Sequence, residues 1–140
     1  MIKVLECSSA GDKRFSAFYA RTSFYGVEDS IENIYQSVKR DMYGNKVGKG
    51  RRVDHIIIKG KALSPKYLTP LYKMLWVKYL DNNKELVEYA KGFTAFSDKF
   101  RGRAINCQAD IIADYVRHGR DYIMKSKDVI EFTHILRNLY

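Results

Sequence analysis

Tyr72, Leu75, Trp76, Tyr79 and Leu80 recur at the i, i+3, i+4, i+7 and i+8 positions of a helix, with Lys73, Lys78 and Asp81 off that stripe. A stripe holding one indole and two phenol rings has to be covered. This segment therefore predicts a helix packed against other elements, broken at Asp81-Asn82-Asn83. At 140 residues the chain has room for one domain with a real core around that helix.

The flanking segments supply the cover. Residues 2 to 7 read as a first strand, SSAGDK as a turn, and residues 14 to 26 as extended or looped chain. Ile31, Ile34, Tyr35 and Val38 share one helical face, predicting a helix over about 30 to 41 with Asp29 as its cap. VDHIIIK is short and β-branched, as a buried strand is, and Ser64-Pro65 marks a helix start. A further helix runs through Leu86, Val87 and Ala90 to Gly92, and residues 93 to 108 read as loop. Asn106 precedes a helix carrying Ile111, Ile112, Tyr115 and Val116, in the place of an N-cap. Asp128 with Glu131 suggests a capping box for a last helix bearing Val129, Phe132, Leu136 and Leu139. The expected class is α+β, helix-dominated, one domain over residues 1 to 140 with a few short strands.

Composition narrows the function classes. Hydrophobic residues are 46% and charged residues 29% of the chain, with mean hydropathy −0.39, an ordinary soluble balance. No run of apolar residues is long enough to span a bilayer, and the start, MIKVLECSSAGDKRF, lacks the features of a secretory signal. The expected location is the cytoplasm, with no membrane partner and with Cys7 and Cys107 as free buried thiols. His55, His118 and His134 show no ligand spacing with the cysteines or one another, so no metal and no cofactor is expected. There is no nucleophile elbow and no Walker-type phosphate loop.

The formal charge is +9, and it is unevenly spread. Between Lys39 and Lys66 lie nine basic residues against Asp41 and Asp54, and YGNKVGKGRR sets three glycines among the cations. Lys46, Lys49, Arg51 and Arg52 are the candidate nucleic-acid contacts of this loop. A solvated charged loop without a specific ligand is the other reading of the same residues.

Three separate patches mix functional groups: RFSAF from Arg14, SIENIYQSVKR from Ser30, and FSDKFRGRAINCQAD from Phe96. In the second, Glu32 with Gln36 and Tyr35 with Lys39 are i, i+4 pairs. The alternative account makes Glu32 the N3 partner of Asp29 and Lys39 a solvated end-of-helix cation.

In order, these patches resemble the NADAR family, small α+β proteins associated with hydrolysis of N-glycosidic bonds in ribose-phosphate compounds. Phe15-Ser16-Ala17-Phe18 is similar to an F-S-N-F-like element, and Ser30 to Lys39 to a helix reading S-x-E-H-x-Y-Q-x-x-K. Phe96-Ser97-Asp98 stands where a W-G-D-like turn would, and Gly102 to Asn106 where a G-x-N element would. The likeness covers about residues 14 to 117. Asn33 stands in place of His, Phe96 of Trp, Ala17 of Asn, and Cys107-Gln108 of Leu-Gly.

The resemblance implies a role for each matching residue. Glu32 and Asp98 are the expected catalytic carboxylates. Cleavage of a ribose-to-nitrogen bond builds oxocarbenium character, which a carboxylate stabilises while orienting or deprotonating water. Ser16, Phe18, Tyr35, Gln36, Lys39, Phe96, Arg101, Arg103 and Asn106 are the expected substrate contacts. Among them the rings suit base stacking and the cations suit a diphosphate. The implied substrate is an ADP-ribosylated nucleobase, guanine in DNA, as in a phage-type member reversing ADP-ribosylation. Hydrolysis of a free ribose-phosphate metabolite, such as a riboflavin-pathway intermediate, and a non-catalytic nucleic-acid or ADP-ribose binding module are the alternatives.

Overall fold

The computed structural model describes residues 1–48, 50–102 and 106–139. Among the described residues, seven short strands and six α-helices follow in an α+β order with helix predominant. The helix anticipated from the apolar stripe is α2 (Leu68–Asp81), entered through a 3-10 turn at Pro65–Tyr67 whose cap is Ser64. It is buried on nearly every side: Leu71, Trp76 and Leu80 are wholly inaccessible, and Tyr72, Leu75, Val77 and Tyr79 nearly so. Each such side chain contributes roughly 1.5–3 kcal/mol when buried, so this one helix organises the core. Its three off-stripe polar residues become tethers. Lys73 pairs with Asp128 at 2.9 Å, Lys78 donates to the Ser23 carbonyl at 2.7 Å, and Asp81 accepts from Tyr115 at 2.6 Å.

The other elements wrap α2. Strand β1 (Val4–Glu6) pairs in parallel with β7 (Ala95–Ser97), with Leu5 opposite Phe96. Parallel strands that far apart in sequence need a long crossover, and the intervening elements provide it. Strands β2 (Arg21–Phe24) and β3 (Val27–Ser30) form a hairpin whose first strand and turn lie in the segment expected to be extended or looped. Its two-residue turn, Tyr25-Gly26, has φ of 49° and 80°, the type I′ pattern that fits strand twist. β3 leads directly into α1 (Ile31–Ser37).

The helix expected over 30 to 41 is thus shorter than predicted. Lys39–Arg40 is strand β4, pairing with β5 (His55–Ile58), which turns at Lys59-Gly60 into β6 (Lys61–Leu63). Ile56 and Ile58 face the core, as the β-branched run suggested. The cap of α1 also differs: Ser30 Oγ accepts from the Asn33 amide, while Asp29 accepts from the Ser30 amide and the Asn33 side chain.

Helix α3 (Lys84–Ala90) ends as predicted next to Gly92, and β7 replaces part of the expected 93-to-108 loop. Three helices close the chain: α4 (Gln108–His118), α5 (Arg120–Met124), which no sequence signal marked, and α6 (Lys127–Arg137). The expected capping box of α6 is not formed. Asp128 takes the Ser126 hydroxyl and Lys73, and Glu131 reaches Lys66 and Tyr67. Cys7 and Cys107 are both free and buried, as expected. Among the described residues no helix is long and apolar enough to cross a membrane.

Candidate functional site

Glu32 lies in the first turn of α1, and the turn at residues 16–20 packs over that end of the helix. The Ile31 and Glu32 amides donate to the Ala20 and Ala17 carbonyls, both at 2.9 Å. The first two patches are therefore one structural unit. Buried Ser16 serves that turn, its hydroxyl accepting from the Phe18 amide and its carbonyl from Tyr19 and Ala20. Phe18 stands out at the tip, 56% exposed.

One turn along α1, the Gln36 amide nitrogen donates to Glu32 Oε1 at 3.0 Å. Its other end, Gln36 Oε1, is a buried acceptor with no hydrogen-bond partner. Buried acceptors are normally satisfied, so an orphan beside a carboxylate fits a donor that arrives with a ligand. Tyr35, on the preceding position, accepts from the Asn106 side-chain amide at 2.6 Å and packs its ring 4.8 Å from that of Tyr72. Lys39 lies over the same Tyr35 ring at 4.5 Å. Although Lys39 belongs to a strand, the predicted Tyr35–Lys39 contact is made.

Asp98 joins this cluster through a residue that sequence reasoning missed. The Gln108 amide nitrogen donates to Asp98 Oδ2 at 2.9 Å and to the Cys7 carbonyl, and its oxygen accepts from the Tyr72 hydroxyl at 3.2 Å. Glu32–Gln36, Tyr35–Asn106 and Tyr72–Gln108–Asp98 are thus three hydrogen-bonded groups, the last two joined by the Tyr35–Tyr72 ring contact, in an assembly drawn from α1, α2, the start of α4 and the end of β7. Burial pushes the Tyr35 hydroxyl above the usual tyrosine range, against the pull of the Asn106 bond, with the Glu32 charge adding to the rise. Burial raises Tyr72 further, with Glu32 again pushing upward. Both phenols stay protonated, and both sense the Glu32 carboxylate.

Asn106 is not the N-cap that its position suggested. Cys107 holds that place, with no side-chain bond to the helix, and the Asn106 side-chain amide donates to Tyr35. Phe96 is half-buried in β7, with the Arg117 guanidinium 5.4 Å over its ring. Arg101 pairs with Asp110 at 3.0 Å. Lys46, Arg51 and Arg52 are exposed in the chain between β4 and β5. Lys49 and Arg103 lie outside the described residues.

Tyr72 was readable in part. A tyrosine inside an apolar stripe needs a hydroxyl partner when buried, which separates it from a leucine. Gln108 carried no local signal, since its three partners come from distant segments. A cavity of about 420 Å³ opens elsewhere, between β2, α2, α5 and α6, lined by Phe24, Met74, Leu75, Val77, Met124 and Leu136. Polar groups at its rim satisfy one another: Lys78 with Ser23, and Arg120 with Asp81. None of the sequence-predicted site residues lines it. No family model, no curated protein and no solved structure matches this chain.

Proposed function

We propose that the protein is an N-glycosidase that removes ADP-ribose from a nucleobase, guanine in DNA. The observation that carries this reading is the half-buried Glu32 carboxylate, oriented by Gln36, beside the unsatisfied Gln36 oxygen. The resemblance of residues 30 to 39 to the NADAR helix supplies the reaction class.

In the reaction, water attacks the anomeric carbon of the ribose, the bond from that carbon to nitrogen breaks, and the leaving nitrogen takes a proton from solvent, to which Glu32 returns the one it accepts from the attacking water. Glu32 stabilises the positive charge that develops on the sugar and accepts the proton of the attacking water. The Gln36 oxygen accepts from a ribose hydroxyl. Asp98, fixed by Gln108 and by the Phe100 amide at 2.9 Å, orders the hydroxyls or the water from the other side. Tyr35 and Tyr72, kept as neutral phenols, hold the wall of the site without adding charge next to Glu32. Lys39 supplies positive charge toward the diphosphate.

The test is incubation with an oligonucleotide carrying ADP-ribose on guanine, followed by chromatography of both products. Wild type should release ADP-ribose and leave the intact unmodified strand, and Glu32→Gln should not. Tight binding without release makes the protein a binding module instead, and release from free ribose-phosphate metabolites but not from DNA makes it a metabolite hydrolase.

A further inference from the structure

The chain between β4 and β5 carries two adjacent large apolar side chains that are among the most exposed of the described residues. Met42 is 72% and Tyr43 82% exposed. They are held out by a built turn. Asp41 Oδ1 accepts from the Tyr43 and Asn45 amides, both at 2.9 Å, and the Asp41 carbonyl accepts from Gly44 at 3.0 Å. Asp41 N donates to the Asn45 carbonyl at 2.9 Å, and Arg40 bridges Lys46 across the base of the turn. The two acids of this region are engaged locally, Asp41 in the turn and Asp54 with His55 at 2.9 Å. Lys46, Arg51 and Arg52, in the same connection, are exposed.

An aromatic ring and a thioether displayed on a built turn, in a connection that also carries exposed cations, match a strand that offers both base faces and phosphates. We infer that Met42 and Tyr43 form a base-stacking tip for single-stranded DNA, with Lys46, Arg51 and Arg52 along its phosphates. This rests on the reading above that the substrate is a base in DNA. The spacing suits it. Glu32 to Ser37 spans about 8 Å at helical rise, and the six residue steps from Ser37 to Tyr43 reach at most about 20 Å. The tip thus lies within about 28 Å of Glu32, the reach of roughly eight stacked nucleotides. Charge complementarity alone would not call for an exposed tyrosine, whereas stacking does. A duplex hides its base faces, so the preferred partner is unpaired DNA.

Binding of a labelled, unmodified oligonucleotide of about 16 nucleotides, followed by anisotropy, tests this apart from hydrolysis. Tyr43→Ala should weaken binding about 5- to 150-fold, Tyr43→Trp should retain it, and both should leave the salt dependence unchanged. Since Tyr43 is exposed, the fold is expected to survive, and circular dichroism checks it. Equal binding by Tyr43→Ala, tighter binding to the duplex, or tighter binding to the same sequence as RNA overturns the inference. No binding by wild type at low salt overturns it too, whatever the release assay gives. Tyr43-dependent binding without ADP-ribose release leaves the tip standing and removes the glycosidase.

Discussion

Replacing Gln108 perturbs the assembly at the residue that joins Tyr72 to Asp98. Gln108 is 9% exposed, Tyr72 4% and the Cys7 residue 0%, so its partners cannot turn to water. Gln108→Ala leaves the Tyr72 hydroxyl and the Cys7 carbonyl without their Gln108 contacts and removes a donor from Asp98. Two buried groups stranded at about 1–3 kcal/mol each, with a smaller contribution from half-exposed Asp98, give a loss of about 3–5 kcal/mol. That is a large share of the roughly 5–15 kcal/mol that holds a domain together. Urea unfolding followed by the fluorescence of Trp76, the single tryptophan, should show a lower midpoint with an unchanged slope. Gln108→Glu separates bonding from volume. It keeps an acceptor for Tyr72 but turns a carboxylate toward Asp98 and the Cys7 carbonyl, raising its own folded-state pKa above the unfolded value of about 4.3. Its stability is therefore closest to wild type near pH 4 and lost as pH rises through the folded pKa. A loss below about 1 kcal/mol in Gln108→Ala, or a Gln108→Glu variant as stable as wild type at pH 7, refutes the reasoning.

Burial raises the Cys7 thiol and the Tyr115 hydroxyl to about 12 each, with acidic neighbours pushing the same way. Both groups hold their protons longer folded than unfolded, so stability should be full below pH 9 and fall above it. Cys7 alone contributes about 1.4 kcal/mol per pH unit, readable by thermal melting across pH 8 to 11. Gly11→Ala should destabilise by roughly 1–3 kcal/mol in the same melts, because a Cβ there meets the Glu6 backbone oxygen and side chain. Converting Lys46, Arg51 and Arg52 to Gln should lower the slope of log affinity against log salt for single-stranded DNA by about 0.7 per cation. An unchanged slope places the phosphates elsewhere.

The helices were legible where their period was long and unbroken: α2 and α6 announce themselves because burial of a stripe needs no distant partner to be seen. The hairpins were not. Tyr25-Gly26 and Lys59-Gly60 both turn with positive φ at two successive residues, and only the glycine of each pair carries that signal. β7 was hidden because a three-residue strand is defined by its partner β1, some ninety residues away. The caps failed for a related reason: Asp29, Asn106 and Glu131 each had a suitable local spacing, and each side chain found a tertiary partner or a neighbouring turn instead. For the site, the Glu32–Gln36 and Tyr35–Lys39 pairs follow from spacing on or next to one helix, whereas the Tyr72–Gln108–Asp98 link depends on three elements meeting.

The central claim is that Glu32 acts on a ribose-to-base bond, and a single-turnover measurement addresses it most directly. Excess protein is mixed with DNA bearing ADP-ribosylated guanine, and the appearance of the unmodified strand is timed by mass spectrometry. With binding and melting temperature matched to wild type, Glu32→Gln is predicted to be slower by about 10²–10⁴-fold. A Glu32→Gln variant that restores the strand at the wild-type rate, or a wild-type protein that binds the modified DNA and leaves it intact, contradicts the account.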